Sequence, residues 1–264
     1  IDEVSKMKLG IISWIKEEDF KEAQNKGLAF IELCVNNRHK EFLDHVESIK
    51  AYSEKYHMPI GSVGRWGEDK ITTKGIREEE LAIDYALIEK AAYLNCNIYI
   101  TGCNYVADLS YYENCTLAIQ YFEKLIEYGE QLGVKIATYN CRWNNFIHSD
   151  PTWSLIHGYL QDLYIKYDTS HCIYAGGDYL SEAKKWAHRF IHVHIKGALI
   201  VDGERFDDPP AGLDQTDWPA FMSILYAKGY NGGLSIEPHS ENWRGELGKK
   251  GVDFTINYMK KLIL

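Results

Sequence analysis

IHVHIKG, residues 191–197, is the stretch on which the fold turns. Strand side chains alternate with a period of two, so Ile191, Val193 and Ile195 share one face and His192, His194 and Lys196 the other. One apolar face and one face with two imidazoles and an ammonium do not suit a strand buried on both sides. They suit a strand whose outside packs on helices and whose inside lines a functional lumen. Seven further segments read as strands: KLGIIS (8–13), LAFIEL (28–33), PIGSVG (59–64), NIYIT (97–101), VKIATY (134–139), DLYIKYD (162–168) and GLSIE (233–237). FIHVHIK (190–196) completes the set of eight.

Helical periodicity fills the gaps between them. EEELAIDYALIEKAAYL (78–94) sets Leu81, Ala82, Tyr85, Ile88 and Ala92 on one face. LAIQYFEKLIEYGEQLG (117–133) stops on Gly133, and TDWPAFMSILYAKG (216–229) starts on a Thr or Asp cap and stops on Gly229. KGVDFTINYMKKLIL closes the chain. Strand–helix alternation over 264 residues predicts an α/β fold, a single (β/α)8 barrel with one domain spanning 1–264. A doubly wound sheet is the alternative. It would need near-continuous apolar strands, and no G-x-G-x-x-G follows the first strand to support a nucleotide fold.

Composition narrows the partners. With 29 Lys and Arg against 38 Asp and Glu, the net charge is -9 and no basic arm or stripe forms, so nucleic acid is not expected. No apolar run approaches membrane-spanning length, and IDEVSKMKLG lacks a secretory apolar core. Six dispersed cysteines without a Cys-x-x-Cys read as reduced thiols of a cytoplasmic protein.

In a barrel, chemistry collects at the C-terminal ends of the strands. Those ends offer Trp14, Glu32, Arg65-Trp66, Tyr139-Asn140-Cys141-Arg142-Trp143, Asp168 with His171, His194 with Lys196, and Glu237. Asp168, His194 and Glu237 come from three successive strands. Two carboxylates and an imidazole suit one divalent ion such as Mn²⁺, Zn²⁺, Co²⁺ or Mg²⁺. Taken singly, Asp168 also reads as a loop cap, His194 as a core histidine and Glu237 as an ion-pair partner of Lys196 or Arg205. Trp14, Trp66, Trp143 and Trp243 read either as sugar-stacking faces or as apolar cover for the loops. His192 reads as a histidine that orients a ligand from below. Lys196 reads as a group facing a substrate oxyanion or as one half of a salt bridge, and Glu32 as holding a substrate hydroxyl or Lys196.

The ordered set GLAFIEL, YDTSHCIYAGGD, IHVHIKG and GLDQTDWPAFMSILYAKGYNGGLSIEP resembles the xylose isomerase-like TIM barrels, the sugar isomerase and epimerase superfamily, over nearly the whole chain. Ketose 3-epimerases, hydroxypyruvate isomerase and inosose dehydratase belong to it. The resemblance implies that Asp168, His194 and Glu237 are three of four metal ligands. It also implies that His171 contacts a substrate oxygen and that Arg205 is the nearest match to a substrate-binding arginine. GVKIATYNC departs from it: Tyr139 stands where the family carries its fourth ligand, a glutamate. A one-residue shift would offer the Asn140 amide instead.

The function implied is a metal-dependent sugar or keto-sugar isomerase or epimerase acting by proton abstraction beside a carbonyl. Glu237 is the expected base, with His171, Tyr139 and Lys196 as further catalytic groups. Trp14, Glu32, Trp66, Asn140, Trp143 and Arg205 are the expected substrate contacts. The alternatives are a dehydratase or lyase working by β-elimination, and a sugar-binding barrel without catalysis. The expected partner is a small sugar or keto-sugar, with a homo-oligomer or a small partner subunit left open.

Overall fold

The computed structural model describes residues 7–264; most of the N-terminal stretch read above for a secretory signal lies outside them. Eight parallel strands close into a barrel in chain order: β1 (Lys8–Ser13), β2 (Ile31–Cys34), β3 (Ile60–Arg65), β4 (Ile98–Thr101), β5 (Lys135–Tyr139), β6 (Leu163–Asp168), β7 (Phe190–Ile195) and β8 (Gly233–Ile236), the last pairing back on the first. The fold is a single (β/α)8 barrel. The helices are α1 (Glu17–Asn25), α2 (His39–Asp44), α3 (Val46–Lys55), α4 (Glu78–Tyr93), α5 (Tyr111–Leu132), α6 (Asp150–Tyr159), α7 (Thr169–Tyr174), α8 (Tyr179–Trp186), α9 (Trp218–Ala227) and α10 (Gly245–Lys260).

Alternation decides what each strand gives to each side. Val63, Tyr99, Ile136, Ile165, Val193, Ile195 and Leu234 face outward and join one apolar core with the helices. Ile191 departs from the simple pattern. The pairing of β6 with β7 slips between Ile165 and Lys166, and Ile191 packs half-buried against the inner apolar cluster instead.

Inside, Phe30 plugs the floor of the barrel. A Cβ on Gly10 or Gly61 would meet the Phe30 ring at 2.4 or 2.3 Å, so glycine is required for the ring to fit. Above it the lumen divides. Ile98, Ile100, Ala137, Tyr139 and Trp66 form an apolar half on the β3–β5 side. Glu32, Asp168, His192, His194 and Lys196 form a charged half on β2, β6 and β7, all at most 4% exposed.

Helix ends follow local chemistry. α5 begins six residues before the expected start, because Ser110 and Glu113 form a reciprocal cap. Glu113 N donates to Ser110 Oγ at 3.2 Å and Ser110 N donates to Glu113 Oε2 at 2.8 Å. Gly133 ends the helix with φ 70°, as expected. α10 likewise starts earlier, at Gly245. Two short antiparallel hairpins, 71–76 and 199–207, decorate the loops after β3 and β7. Neither was visible in the periodicity. Among the described residues no helix is long and apolar enough to cross a membrane.

Candidate active site

Asp168 ends β6 and caps α7. Its Oδ1 accepts from Ser170 N at 2.9 Å and Ser170 Oγ at 2.6 Å. Asn140, at the end of β5, grips the same residue: its amide donates to Asp168 O at 2.8 Å and accepts from Asp168 N at 2.9 Å. The side chain is thereby fixed, with Oδ2 left facing the lumen and lacking a well-directed hydrogen bond.

His194 projects from β7 opposite Asp168. Its Nε2 lies 2.9 Å from Glu32 Oε2, and its Nδ1 lies 3.0 Å from Glu237 Oε2 and 3.8 Å from Asp168 Oδ2. His192 Nε2 reaches the same Glu32 oxygen at 2.8 Å. One fully buried carboxylate thus holds two imidazoles. Burial alone would raise the Glu32 pKa, but His194 and His192 outweigh it and hold the carboxyl well below its usual range. For His194, burial opposes charge, yet Glu32 and then Glu237 prevail and pull its pKa up. A Glu32 that accepts from Nε2–H leaves Nδ1 aimed at Asp168 and Glu237, the carboxylate–histidine arrangement that orients a metal ligand.

Lys196 completes the cluster. Its ammonium sits 3.0 Å from Asp168 Oδ2, 3.0 Å from Glu237 Oε2 and 3.3 Å from His171 Nε2, which accepts from it. Burial works against the charge, but Asp168 and then Glu237 raise the Lys196 pKa. Glu237 is held well below the usual carboxylate range: burial is outweighed by Lys196 and then His194. His171 goes the other way, its pKa lowered to about 3 chiefly by burial. At neutral pH it is an uncharged imidazole. Glu237 and His171 keep 19% and 22% of their side-chain surface, so they face the mouth while Asp168, at 0%, does not.

The donor set fits a divalent cation. Asp168, His194 and Glu237 offer ligand atoms within 4.8 Å of one another, and Asp168 Oδ2, without a directed hydrogen bond, lies 3.8 Å from His194 Nδ1. Two carboxylate oxygens and an imidazole nitrogen match a hard or borderline ion. Glu32, His192 and His194 also lie close enough together, but Glu32 already accepts from both rings.

The structure corrects several expected contacts. Tyr139 points inward, yet its hydroxyl accepts from Gly67 N at 3.2 Å and donates to Trp143 O at 3.2 Å. Its ring stacks on Trp66 at 5.1 Å. Burial also raises its pKa, and with both hydroxyl contacts on loop backbone it braces the loops above β3 and β5. Asn140 holds backbone rather than substrate, with both ends of its amide on Asp168. Glu32 holds His192 and His194, not Lys196. Trp14 leans on α2, donating to Glu41 at 3.4 Å beneath Arg38. Trp143 lies 57% exposed at the rim over Gly67. Arg205 pairs with Asp208 on the hairpin after β7, beside His239. Trp66 remains a lumen wall.

Tyr139→Phe tests this bracing. It should leave turnover within about threefold and lower stability by roughly 1–3 kcal/mol, the range for stripping buried backbone groups of their partner. A loss of turnover beyond a hundredfold with an intact melt would restore Tyr139 as a catalytic acid.

Sequence reasoning passed over Lys166. It stands on β6 in phase with Asp168 and is 1% exposed. The signal was there: a lysine two residues before the aspartate in an otherwise apolar strand.

The model of the xylose isomerase-like TIM barrel family matches residues 20–261, and the chain belongs to that family. Among solved structures it is similar to a D-psicose 3-epimerase from Clostridium cellulolyticum H10 crystallised with D-tagatose. Identity is 13%, coverage 97% of this chain and 99% of that one, and the TM-score 0.80. It is also similar to the 3-keto-D-glucoside 4-epimerase of E. coli, at 15% identity, 97% and 100% coverage and TM-score 0.76. A probable 3-DHS dehydratase of Bacillus anthracis follows at 14% identity, 96% and 99% coverage and TM-score 0.74. No curated protein matches the sequence.

Proposed function

We propose that this barrel is a divalent-metal-dependent sugar or keto-sugar isomerase working with one base. The convergence of Asp168 Oδ2, His194 Nδ1 and Glu237 Oε2, braced by Glu32 from behind, carries the reading. Two of the similar folds are epimerases of D-psicose and of a 3-keto-D-glucoside, which agrees with a sugar substrate. When bound, the metal would supply a Lewis acid for a carbonyl oxygen and so acidify the neighbouring C–H. Asp168, His194 and Glu237 would hold it.

Glu237 is the base. It is ionised at neutral pH, and it faces the mouth. It takes the proton beside the carbonyl and returns it to the former carbonyl carbon, while the proton of the neighbouring hydroxyl passes to the former carbonyl oxygen, which shifts the carbonyl by one position. Lys196 keeps Glu237 ionised and places positive charge beside the oxygen that becomes negative. Neutral His171 accepts from Lys196 and so turns its other ring nitrogen toward a substrate hydroxyl. Two-base epimerisation needs a second group on the opposite sugar face. The β5 position that the family fills with glutamate carries Tyr139 here, whose hydroxyl is engaged by loop backbone.

A second reading is β-elimination. The Lys196–His171 contact favours it, since that pair has a proton to pass to a departing hydroxyl.

Metal titration and solvent exchange test both readings together. Protein purified without chelator should hold close to one equivalent of a divalent transition metal. After chelation, Mn²⁺ at a hundred times its Kd should restore about 2.7 kcal/mol, a melting shift of roughly 5–10 °C. Keto-sugars incubated in D2O should gain deuterium beside the carbonyl. Less than about a tenth of an equivalent of metal, no shift on titration and no deuterium would together leave only the sugar-binding barrel.

A further inference from the structure

Lys166 is a buried lysine with no ion-pair partner in contact. It points into the lumen at 1% exposure. Among the described residues no carboxylate oxygen lies within 4.0 Å of its ammonium, and no group accepts a hydrogen bond from it. The acidic groups nearby make their close contacts elsewhere: Glu32 with His192 and His194, Asp168 and Glu237 with Lys196. The strand partners of Lys166 offer no acid, being Tyr139 on β5 and His192 on β7. Its nearest aromatic contact is Trp66, with the ammonium 5.8 Å from the ring centroid, at the outer edge of cation–π range. On β6 it lies in phase with Asp168, so its side chain enters the lumen on the side of the site.

An unpaired buried ammonium works against folding. Its place at the seam between the apolar and charged halves of the lumen points to a group that arrives from outside. That group is anionic. It is also flat, because the stacked rings of Trp66 and Tyr139, 20° from parallel, wall one side. A phosphate would seek several backbone N–H donors, and the nearby ones are taken: Gly67 N by Tyr139 and Ser170 N by Asp168.

We propose that Lys166 receives a carboxylate of the substrate, which makes that substrate an acidic sugar. The inference rests on the isomerase reading for the presence of a sugar, and it adds the charge.

Equilibrium binding tests it without turnover and without added metal. Tryptophan fluorescence, with Trp66 as reporter, follows titration by D-glucuronate, by neutral D-glucose and by D-glucose 6-phosphate. D-glucuronate should bind at least tenfold tighter than D-glucose. Lys166→Met should abolish that preference and leave D-glucose binding unchanged, whereas Lys166→Arg should retain it. Lys166→Met should also melt about 3 °C higher, since it removes an unpaired buried charge. Equal binding of the acid and the neutral sugar, binding of neither, or tightest binding of the 6-phosphate would overturn the proposal. So would a preference unchanged in Lys166→Met, or a lower melting temperature that betrays an internal partner. The deuterium experiment above fails or succeeds independently, so loss of the isomerase reading is distinguishable from loss of this one.

Discussion

Glu237→Gln should lower turnover about a thousandfold, within the 10²–10⁴ range for a positioned base, with the barrel still folded. The substitution keeps the volume and one oxygen but removes the lone pair that accepts the proton. It also changes the charge around Lys196, which now stands 3.0 Å from both Asp168 Oδ2 and Glu237 Oε2. Asp168 alone would then face that ammonium, and metal affinity should weaken as well. The two effects separate kinetically. Loss of a ligand is recovered by raising metal concentration; loss of the base is not. At saturating Mn²⁺ the remaining defect should lie in kcat. Glu237→Asp should recover part of the rate, because a shortened carboxylate can still accept a proton. A Gln variant within tenfold of the parent kcat at saturating metal would remove Glu237 from the base role and return attention to His171.

The three residues brought together by the fold were legible because each depends only on local phase. His194 follows from alternation along IHVHIKG, and Asp168 and Glu237 from their places at strand ends. Strand bounds were legible to within a few residues for the same reason. β2 starts three residues later than expected, although Ala29 N already donates to Leu9 O at 2.8 Å and Phe30 O accepts from Ile11 N at 3.3 Å just before it. What depends on distant pairing was not legible. Glu32 meets His192 and His194 across 160 and 162 residues of chain, and nothing in GLAFIEL says that two imidazoles lie opposite. The Tyr139 hydroxyl finds its partners in two loops, at Gly67 and Trp143, whose approach no periodicity encodes. The start of α5 was missed for a milder reason. Its capping box S-Y-Y-E, residues 110–113, lies ahead of the apolar stripe.

The position of Trp66 depends on a network outside the lumen, and that network carries the largest expected loss of stability. Asp84, on α4, is fully buried. Its Oδ1 accepts from Lys70 Nζ at 2.9 Å, from Tyr99 Oη at 2.8 Å and from Arg65 Nη1 at 3.3 Å, and Tyr121 Oη donates to Oδ2. Arg65 ends β3 and also donates to Glu80 at 2.6 Å. Two cations thus meet two buried carboxylates, Asp84 and Glu80, with the partly exposed Glu68 3.6 Å from Arg65 at the edge. Asp84→Ala leaves Lys70 with Glu80 alone, at 3.8 Å, leaves Arg65 with Glu80 and the more distant Glu68, and strips two tyrosine hydroxyls of their acceptor. Breaking such a buried pair costs about 3–5 kcal/mol. Total stability is on the order of 5–15 kcal/mol, so the melting temperature should drop on the order of 10 °C. Asp84→Asn should fall between, since it keeps an acceptor oxygen and loses the charge. Thermal and urea melts measure both; a loss under about 1 kcal/mol for the alanine variant would show that water reaches the cations. The damage should also reach the site, because Arg65 leads directly into Trp66, and Trp66 holds Tyr139 by stacking. The alanine variant should therefore weaken sugar binding more than metal binding. Asp168, His194 and Glu237 stand on strands that this network does not touch.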